Sequence, residues 1–486
     1  MPPPRPHFLV LTYPLQGHIA PALRLARRLL AVAPDALVTF STTEAAHRRL
    51  FPATPEEEVH GPNAAAGGRL EFHPFSDGTD GGYGGGSDDA AEFSAYVASF
   101  HAAGPRSVGE LLDALASRRG RPPVTCVVYT LMLPWAAGVA RARDIPSALF
   151  WIQPAVVLAV YHRYFHGHAG AVAELSRRGD PSLAVELPGL PPLPVGDLPT
   201  FLTESTDPGH YFHPIFLTFR DLFDALDRET PKATILVNSC QELEVLGALA
   251  AVGQHDVLTV GPVLPTGDDE TSIFKPDDGA KYMEWLDTKP ASSVVYVSFG
   301  SLATMGREQL DELLLGLEES RRPYLLVVRK DNKQAMLAEA EAADTMGAER
   351  LKSGIAVEWC DQARVLSHAA VGCFVTHCGW NSVAESVASG VPMVGVPKVS
   401  EQSMNAWLFE RQWRTGARAR VDEGGVMRAA ELIRCLEEVM GDGPAAAEAR
   451  RMAEVWKRVV AEAMGSRGSS YCNLLAFVDG TTRSSS

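Results

Sequence analysis

The sequence predicts an α/β protein with two doubly wound parallel sheets, one in each half of the chain. Strand-length runs of continuous apolar residues alternate with amphipathic helical patterns in both halves, and a turn-rich acidic stretch separates them. Strands buried on both faces read as unbroken apolar runs, whereas strands with one wet face alternate, so helices must cover both sides of each sheet.

In the first half, a strand is expected over 7–12, followed by the turn Tyr13-Pro-Leu-Gln-Gly-His18. A helical pattern comes next, with Pro21 in its first turn. Ile19, Leu23, Ala26, Leu29 and Leu30 share one face, and Arg24, Arg27 and Arg28 lie off it. Further strands are expected over 36–42, 125–129, 147–151 and 234–238. The most apolar stretch, 145–161, is broken by Gln153 and Pro154 and falls short of the roughly 20 residues a membrane span needs.

The second half opens on a strand over 293–299, a Gly300-Ser301 turn and a helix from about Arg307 carrying Leu310, Leu313, Leu314 and Leu317. Strands over 324–328, 355–359, 372–376 and 393–396 follow. Between the halves, Gly261-Pro-Val-Leu-Pro265 leads into Asp268, Asp269, Glu270, Asp277 and Asp278. The chain therefore divides into a domain over 1–260, a linker over 261–285, a domain over 286–455 and a closing helix and tail over 456–486. Six glycines among the thirteen residues 77–89 mark a loop.

The formal charge of the 486 residues is −15, from 44 basic and 59 acidic side chains. Binders of nucleic acid or anionic membrane need basic surface, so neither class fits. The seven cysteines are widely spaced and form no CxxC pair, which reads as reduced thiols in a cytoplasmic protein. The apolar run 8–11 near the start is too short for a secretory signal. Nothing requires more than a monomer.

The densest chemistry runs from Trp359-Cys-Asp-Gln362 through His368 and Gly372-Cys-Phe-Val-Thr-His377-Cys-Gly-Trp380-Asn-Ser382-Val-Ala-Glu385 to Ser400-Glu401-Gln402. A buried strand ends at Thr376, a short helix is expected over 382–389 closed by Gly390, and 377–382 is the loop between them. Open α/β sheets bind ligands at that edge, where a helix N-terminus offers N–H groups to phosphate. Plainer readings exist for each part. Ser382-x-x-Glu385 is also a capping box, and His377 and Trp359 could be core residues. His368, Cys373, His377 and Cys378 could be metal ligands, but their spacing matches no zinc pattern. A cap does not explain the Glu401-Gln402 pair 42–43 residues after Trp359.

This 44-residue block, 359–402, closely resembles the donor-binding box of plant family 1 UDP-glycosyltransferases. The resemblance extends through the His18 turn, Ser298-Phe-Gly-Ser301 and the closing Gly468-Ser-Ser with Asn473-Leu-Leu-Ala-Phe477. It implies the GT-B fold, with two Rossmann-like domains facing across a cleft. The N-terminal domain would bind the acceptor and the C-terminal one the UDP-sugar, with no metal and no cofactor beyond the UDP-glucose donor. By resemblance, Trp359 stacks on uracil, Cys360 contributes backbone contacts, Gln362 lies near the ribose and Glu385 takes its hydroxyls. His377, Asn381, Ser382 and Ser301, with Ser298 beside them, hold the diphosphate, and Trp380, Glu401 and Gln402 hold the hexose. Gln402 biases the donor toward glucose. Many relatives read Trp-Thr-Asp-Gln where this chain has Val399-Ser-Glu401-Gln402, a longer acid and a missing aromatic wall.

The same resemblance makes His18 the general base. An Asp normally orients that histidine, and Thr130 stands in its place in Tyr129-Thr130-Leu-Met-Leu-Pro-Trp135. A phenol of pKa about 10 needs roughly 4 kcal/mol of help to ionise at pH 7, whereas a carboxylic acid arrives ionised. The expected acceptor is therefore a plant acid, giving a β-glucose ester. This segment resembles a subgroup that includes enzymes for auxin-type acids, crocetin and the anthocyanin 5-hydroxyl, so a flavonoid hydroxyl is the alternative. Leu15, Gln16, Thr130, Leu131, Trp151 and the glycine-rich loop near Tyr83 are the acceptor candidates. A non-catalytic UDP-sugar binder is the reading from another class. A Rossmann dehydrogenase lacks its GxGxxG after either first strand.

Overall fold

The computed structural model describes residues 5–51, 68–83, 89–265, 279–300, 305–328 and 352–483. Ser301, the acidic part of the linker and residues 84–88 of the glycine-rich loop lie outside the described residues. The chain divides into two compact units, 1–273 with 462–486, and 274–461.

The first unit carries strands β1 (His7–Leu11), β2 (Leu37–Ser41), β3 (Leu70–Phe72), β4 (Cys126–Thr130), β5 (Ser147–Trp151), a short pair β6 (Ala184–Val185) and β7 (Leu193–Pro194), then β8 (Thr234–Val237) and β9 (Asp256–Thr259). The second carries β10 (Val294–Ser298), β11 (Tyr324–Val327), β12 (Gly354–Val357), β13 (Val371–Thr376), β14 (Met393–Gly395) and β15 (Gly416–Arg418). The helices that shape the sites are α1 (Gln16–Val32), α2 (Ala90–Ala116), α3 (Ala155–Arg163), α4 (His213–Asp227), α5 (Arg307–Glu319), α6 (Trp380–Ser389) and α7 (Ser469–Arg483).

The two large sheets run in the orders β3-β2-β1-β4-β5-β8-β9 and β12-β11-β10-β13-β14-β15. Every pairing within them is parallel, with Phe8 beside both Val38 and Cys126, and Tyr296 beside both Leu325 and Phe374. The chain winds outward from β1 in one direction and restarts at β4 in the other, and does the same at β10 and β13. Each sheet therefore has one point of reversal, where the loops leaving neighbouring strands diverge and open a crevice.

Every strand read from the sequence is present within two residues. Those that the sequence did not give up are the two-residue pair β6 and β7 and the sheet edges β3, β9 and β15, of three or four residues. In the second unit, Val295, Val297, Leu326, Val375 and Val394 pack with Leu313 and Leu317 of α5 in one core. Each such side chain contributes about 1.5–3 kcal/mol by leaving water. At the other end of the chain, α7 closes the exposed edge of the first sheet. Asn473 Nδ2 donates to the Thr259 carbonyl at 2.9 Å, Ser470 Oγ to that of Gly261 at 2.6 Å, and Phe477 lies 6.0 Å from Phe8.

Three boundaries differ from the sequence reading. Residues 279–287, assigned in part to the linker, form a helix. Helix α1 begins at Gln16 on Leu15 as its cap, which puts His18 inside the first turn and Pro21 well beyond it. Helix α6 begins at Trp380 rather than Ser382, because Gly379 is its extended cap residue at φ −62°, ψ 140°. It ends as expected at Gly390, whose left-handed φ of 72° suits glycine.

Candidate functional site

Both crevices carry the residues singled out in the sequence. In the second unit, β10 ends at Ser298 and turns through Gly300 at φ +75°, while β13 delivers His377 to the loop before α6. The His377 ring is clamped between two glycines. A Cβ on Gly300 would lie 2.8 Å from its Cε1, and one on Gly379 would lie 2.5 Å from its Nε2. Burial lowers its pKa to about 4, against a hydrogen bond to the Ser298 backbone that raises it, so the ring is neutral at pH 7. Nδ1 is buried with no hydrogen-bond partner. A neutral, fixed imidazole at the start of a ten-residue helix is suited to an anionic ligand.

Gln362 organises the next layer. Its Nε2 donates to Ser382 Oγ at 3.0 Å and to Glu385 Oε2 at 2.9 Å, while its Oε1 accepts from the Tyr296 hydroxyl at 3.3 Å. Ser382 is the third residue of α6 and not its cap, so the Ser382–Glu385 spacing is not a capping box but one turn of helix held from the side. Trp359 follows β12 and keeps part of its surface exposed. The Cys360 thiol, pushed up to about 12 by burial, meets the Tyr296 hydroxyl at 3.3 Å. That leaves Cys360 only its backbone for a ligand. The four metal candidates do not converge. Both ring nitrogens of His368 are taken, by Asp287 and the Ala370 N–H, and Cys373 lies in the core.

Two hexose candidates turn inward. The Trp380 ring is 3% exposed and packs 6.2 Å from Trp413, so it presents no side chain to a sugar. The Glu401 carboxylate accepts from Ser400 Oγ at 2.5 Å, from Asn405 Nδ2 at 3.4 Å and from the Trp380 N–H. Burial raises its pKa against these bonds. Gln402 Oε1 accepts from the N–H groups of Lys398 and Val399, at 2.9 and 3.2 Å, so its NH2 is what it can offer a ligand. Asn381 stands in the first turn of α6, partly exposed.

In the first unit, Leu15, Gln16 and His18 are partly exposed at the β1 end of the crevice. His18 is held neutral, its pKa pushed down to about 4 by burial. Its Nδ1 is buried and has no hydrogen-bond partner, which leaves Nε2 as the nitrogen a ligand can reach. The Thr130 hydroxyl is spent elsewhere. It accepts from the Tyr13 N–H at 3.3 Å and donates to Thr12 Oγ1 at 3.2 Å. Thr130, Leu131 and Trp151 are 0–1% exposed, so these acceptor candidates stand within the wall and not at its surface. Trp151 donates to the Pro154 carbonyl at 3.1 Å and packs on Tyr161, Phe219 and Phe223.

Aromatic side chains surround His18. Tyr13 lies 5.5 Å from the His18 ring, and Tyr96 and Phe100 of α2 lie behind it. At a half-exposed rim, Tyr83 and Tyr211 meet hydroxyl to hydroxyl at 3.2 Å, and Phe93 stacks on Tyr211 at 4.8 Å. Aromatics at helical spacing look like ordinary core in a sequence, and the one signal for this wall was Tyr83 beside the glycines.

Comparison with known proteins follows the same lines. Residues 257–457 match the family described as UDP-glucoronosyl and UDP-glucosyl transferase. The chain is 40% identical over 483 residues to a crocetin glucosyltransferase of Gardenia jasminoides described as chloroplastic, covering 97% of each. It is likewise 40% identical over 491 residues to anthocyanidin 3-O-glucoside 5-O-glucosyltransferase 1 of Perilla frutescens, covering 99% of each. The crystal structure of Os79 from O. sativa in complex with UDP is similar at a TM-score of 0.79 and 31% identity, over 98% of this chain and 100% of that one.

Proposed function

This chain belongs to the plant UDP-glycosyltransferases, a family of two-domain GT-B enzymes, and we propose that it transfers glucose from UDP-glucose to a small carboxylic acid, giving a β-glucose ester. The carrying observation is the buried, unpartnered Nδ1 of His18. A buried N–H without an acceptor costs more than a buried lone pair, so the imidazole proton belongs on Nε2. In that tautomer His18 is a donor toward the acceptor and not a base. A carboxylate oxygen accepts that bond and needs no deprotonation. A phenol must first give up its proton, and the tautomer that takes it has lost its usual partner at position 130.

The reaction balances without other reagents. The carboxylate oxygen attacks C1 of the glucose as the bond from C1 to the UDP oxygen breaks, with inversion, and UDP carries the electron pair away. We assign the charge on departing UDP to His377, to Ser382 and Asn381 in the first turn of α6, and to Ser298 and Ser301. Trp359 takes the uracil, with Gln362 and Glu385 on the ribose. The hexose falls to Gln402, with Glu401 bracing the loop from inside. The reading also places the enzyme in the cytoplasm as a monomer, in keeping with seven cysteines all unpaired. Among the described residues, no helix is long and apolar enough to cross a membrane. The alternative acceptor, a flavonoid hydroxyl, draws support from the relative described as a 5-O-glucosyltransferase of anthocyanidin glucosides.

UDP release across matched pairs of acids and phenols of similar size, indole-3-acetic acid, abscisic acid and a flavonol among them, decides between the two. Turnover on the acids with products cleaved by mild base is expected. Turnover on phenols alone, with base-stable products, would overturn the ester reading and leave the enzyme class standing.

The donor assignment has its own test. Gly379→Ala suits the backbone at φ −62°, but its Cβ would lie 2.5 Å from His377 Nε2. The ring must move, and losing a charged hydrogen bond costs about 1.5–3 kcal/mol, so UDP should bind about ten- to a hundredfold more weakly by calorimetry. An unchanged affinity would remove His377 from the diphosphate site.

A further inference from the structure

We propose that Asp77, Tyr96 and Tyr13 form a positioning chain that fixes the His18 ring, in place of the carboxylate that position 130 lacks. The proposal rests on the reading of His18 as the residue that meets the acceptor. It follows from a run of buried polar contacts that leads from the loop after β3 to the imidazole. Asp77 is 1% exposed, Tyr96 7% and Tyr13 6%.

The hydrogen bonds have one consistent direction. Asp77 Oδ1 accepts from the Thr79 N–H at 2.9 Å and its hydroxyl at 3.1 Å, and Oδ2 accepts from the Tyr96 hydroxyl at 3.4 Å. A carboxylate only accepts, so the single Tyr96 proton goes to Asp77. The Tyr96 ring, fixed by that bond, packs on Phe100, which lies edge-on to Tyr13. Burial raises the pKa of both phenols, so the two protons stay in place through neutral pH.

The Tyr13 backbone is held in turn by its N–H, which donates to Thr130 Oγ1 at 3.3 Å. Its ring is wedged between Phe100, edge-on at 5.1 Å, and His18, at 5.5 Å and 58°. The Asp77 end is anchored as firmly. Ser99 Oγ donates to the Asp77 carbonyl at 3.1 Å, and a Cβ on Gly78, whose φ is +81°, would lie 2.3 Å from that Oγ. Tyr96, Ser99 and Phe100 share one face of α2, so one helix carries three of the anchors. Such a chain sets the angle of the imidazole by packing and delivers no negative charge to Nδ1. It supplies position without basicity, which is what an already ionised acceptor requires.

Tyr96→Phe removes one oxygen and keeps the ring that stacks 4.9 Å from Tyr83. With an acidic acceptor, kcat should fall about three- to tenfold, no further than the loss of His18 itself, while KM for UDP-glucose holds. In a His18→Ala background the same substitution should cost nothing further, because what it positions is gone. Equal losses in both backgrounds, or no loss in the parent, would overturn the proposal. Asp77→Asn, which keeps the side-chain shape, gives the same two readings if Tyr96→Phe lowers the thermal midpoint. Full activity of His18→Ala alone would instead overturn the underlying reading of His18, and that arm is measured first.

Discussion

His18→Ala is expected to cost an acidic acceptor about tenfold and a phenolic acceptor of the same size about 10²–10⁴-fold in kcat/KM. The acid loses one hydrogen bond from Nε2, a change of about 1–1.5 kcal/mol. The phenol loses the imidazole that would take its proton. Parent activity on a phenol should also fall as pH drops through about 4, where His18 becomes protonated, and stay level above it. Equal losses on both acceptor types would mean that His18 plays the same part for each. The orphaned Nδ1 would then carry no specificity.

Acid should unfold the protein through its buried histidines. His7 and His162 are 1% exposed, and each has its pKa lowered to about 4. For His7 the main cause is burial, with Arg121, Arg5 and Arg118 adding to it and a hydrogen bond to Pro122 opposing. For His162 it is burial followed by His166, stacked at 4.0 Å, and His255. A folded pKa below the unfolded value of 6.5 means stability that is intact above pH 6.5 and is lost as pH falls toward 4. Full protonation removes about 3 kcal/mol for each group. Two such groups take about 6 kcal/mol from a total that is typically 5–15. Urea unfolding midpoints should therefore drop steeply between pH 6.5 and 4. His162→Gln should shallow that slope by about one proton, or 1.4 kcal/mol per pH unit. A midpoint that stays flat to pH 4.5 would show that these rings find water or partners when charged.

The strands and the donor block were legible because burial on both faces leaves a continuous apolar signature, and because 359–402 is dense with unusual residue types at fixed spacing. Edge strands such as β15, Gly416–Arg418, carry no such signature. Helix starts were read late at Gln16 and Trp380 because the first turn of each is capped by backbone, at Leu15 and Gly379, with no Ser, Thr or Asp to announce it. The glycines around Asp77 read as loop and hid a buried carboxylate among them.

The sequence by itself determined which segments form the two sheets, which loop carries His18 and which carries His377, and that the acid usually found at position 130 is a threonine. Those are properties of residue type and period along the chain. Only the tertiary structure decided that Thr130 spends its hydroxyl on Tyr13 and Thr12, that Trp380 and Glu401 turn inward, and that Nδ1 of His18 stands alone. A side chain's hydrogen-bond partner comes from whichever element lies beside it. For the Tyr13 N–H that partner is Thr130, 117 residues away, a distance over which period and spacing along the chain carry no information.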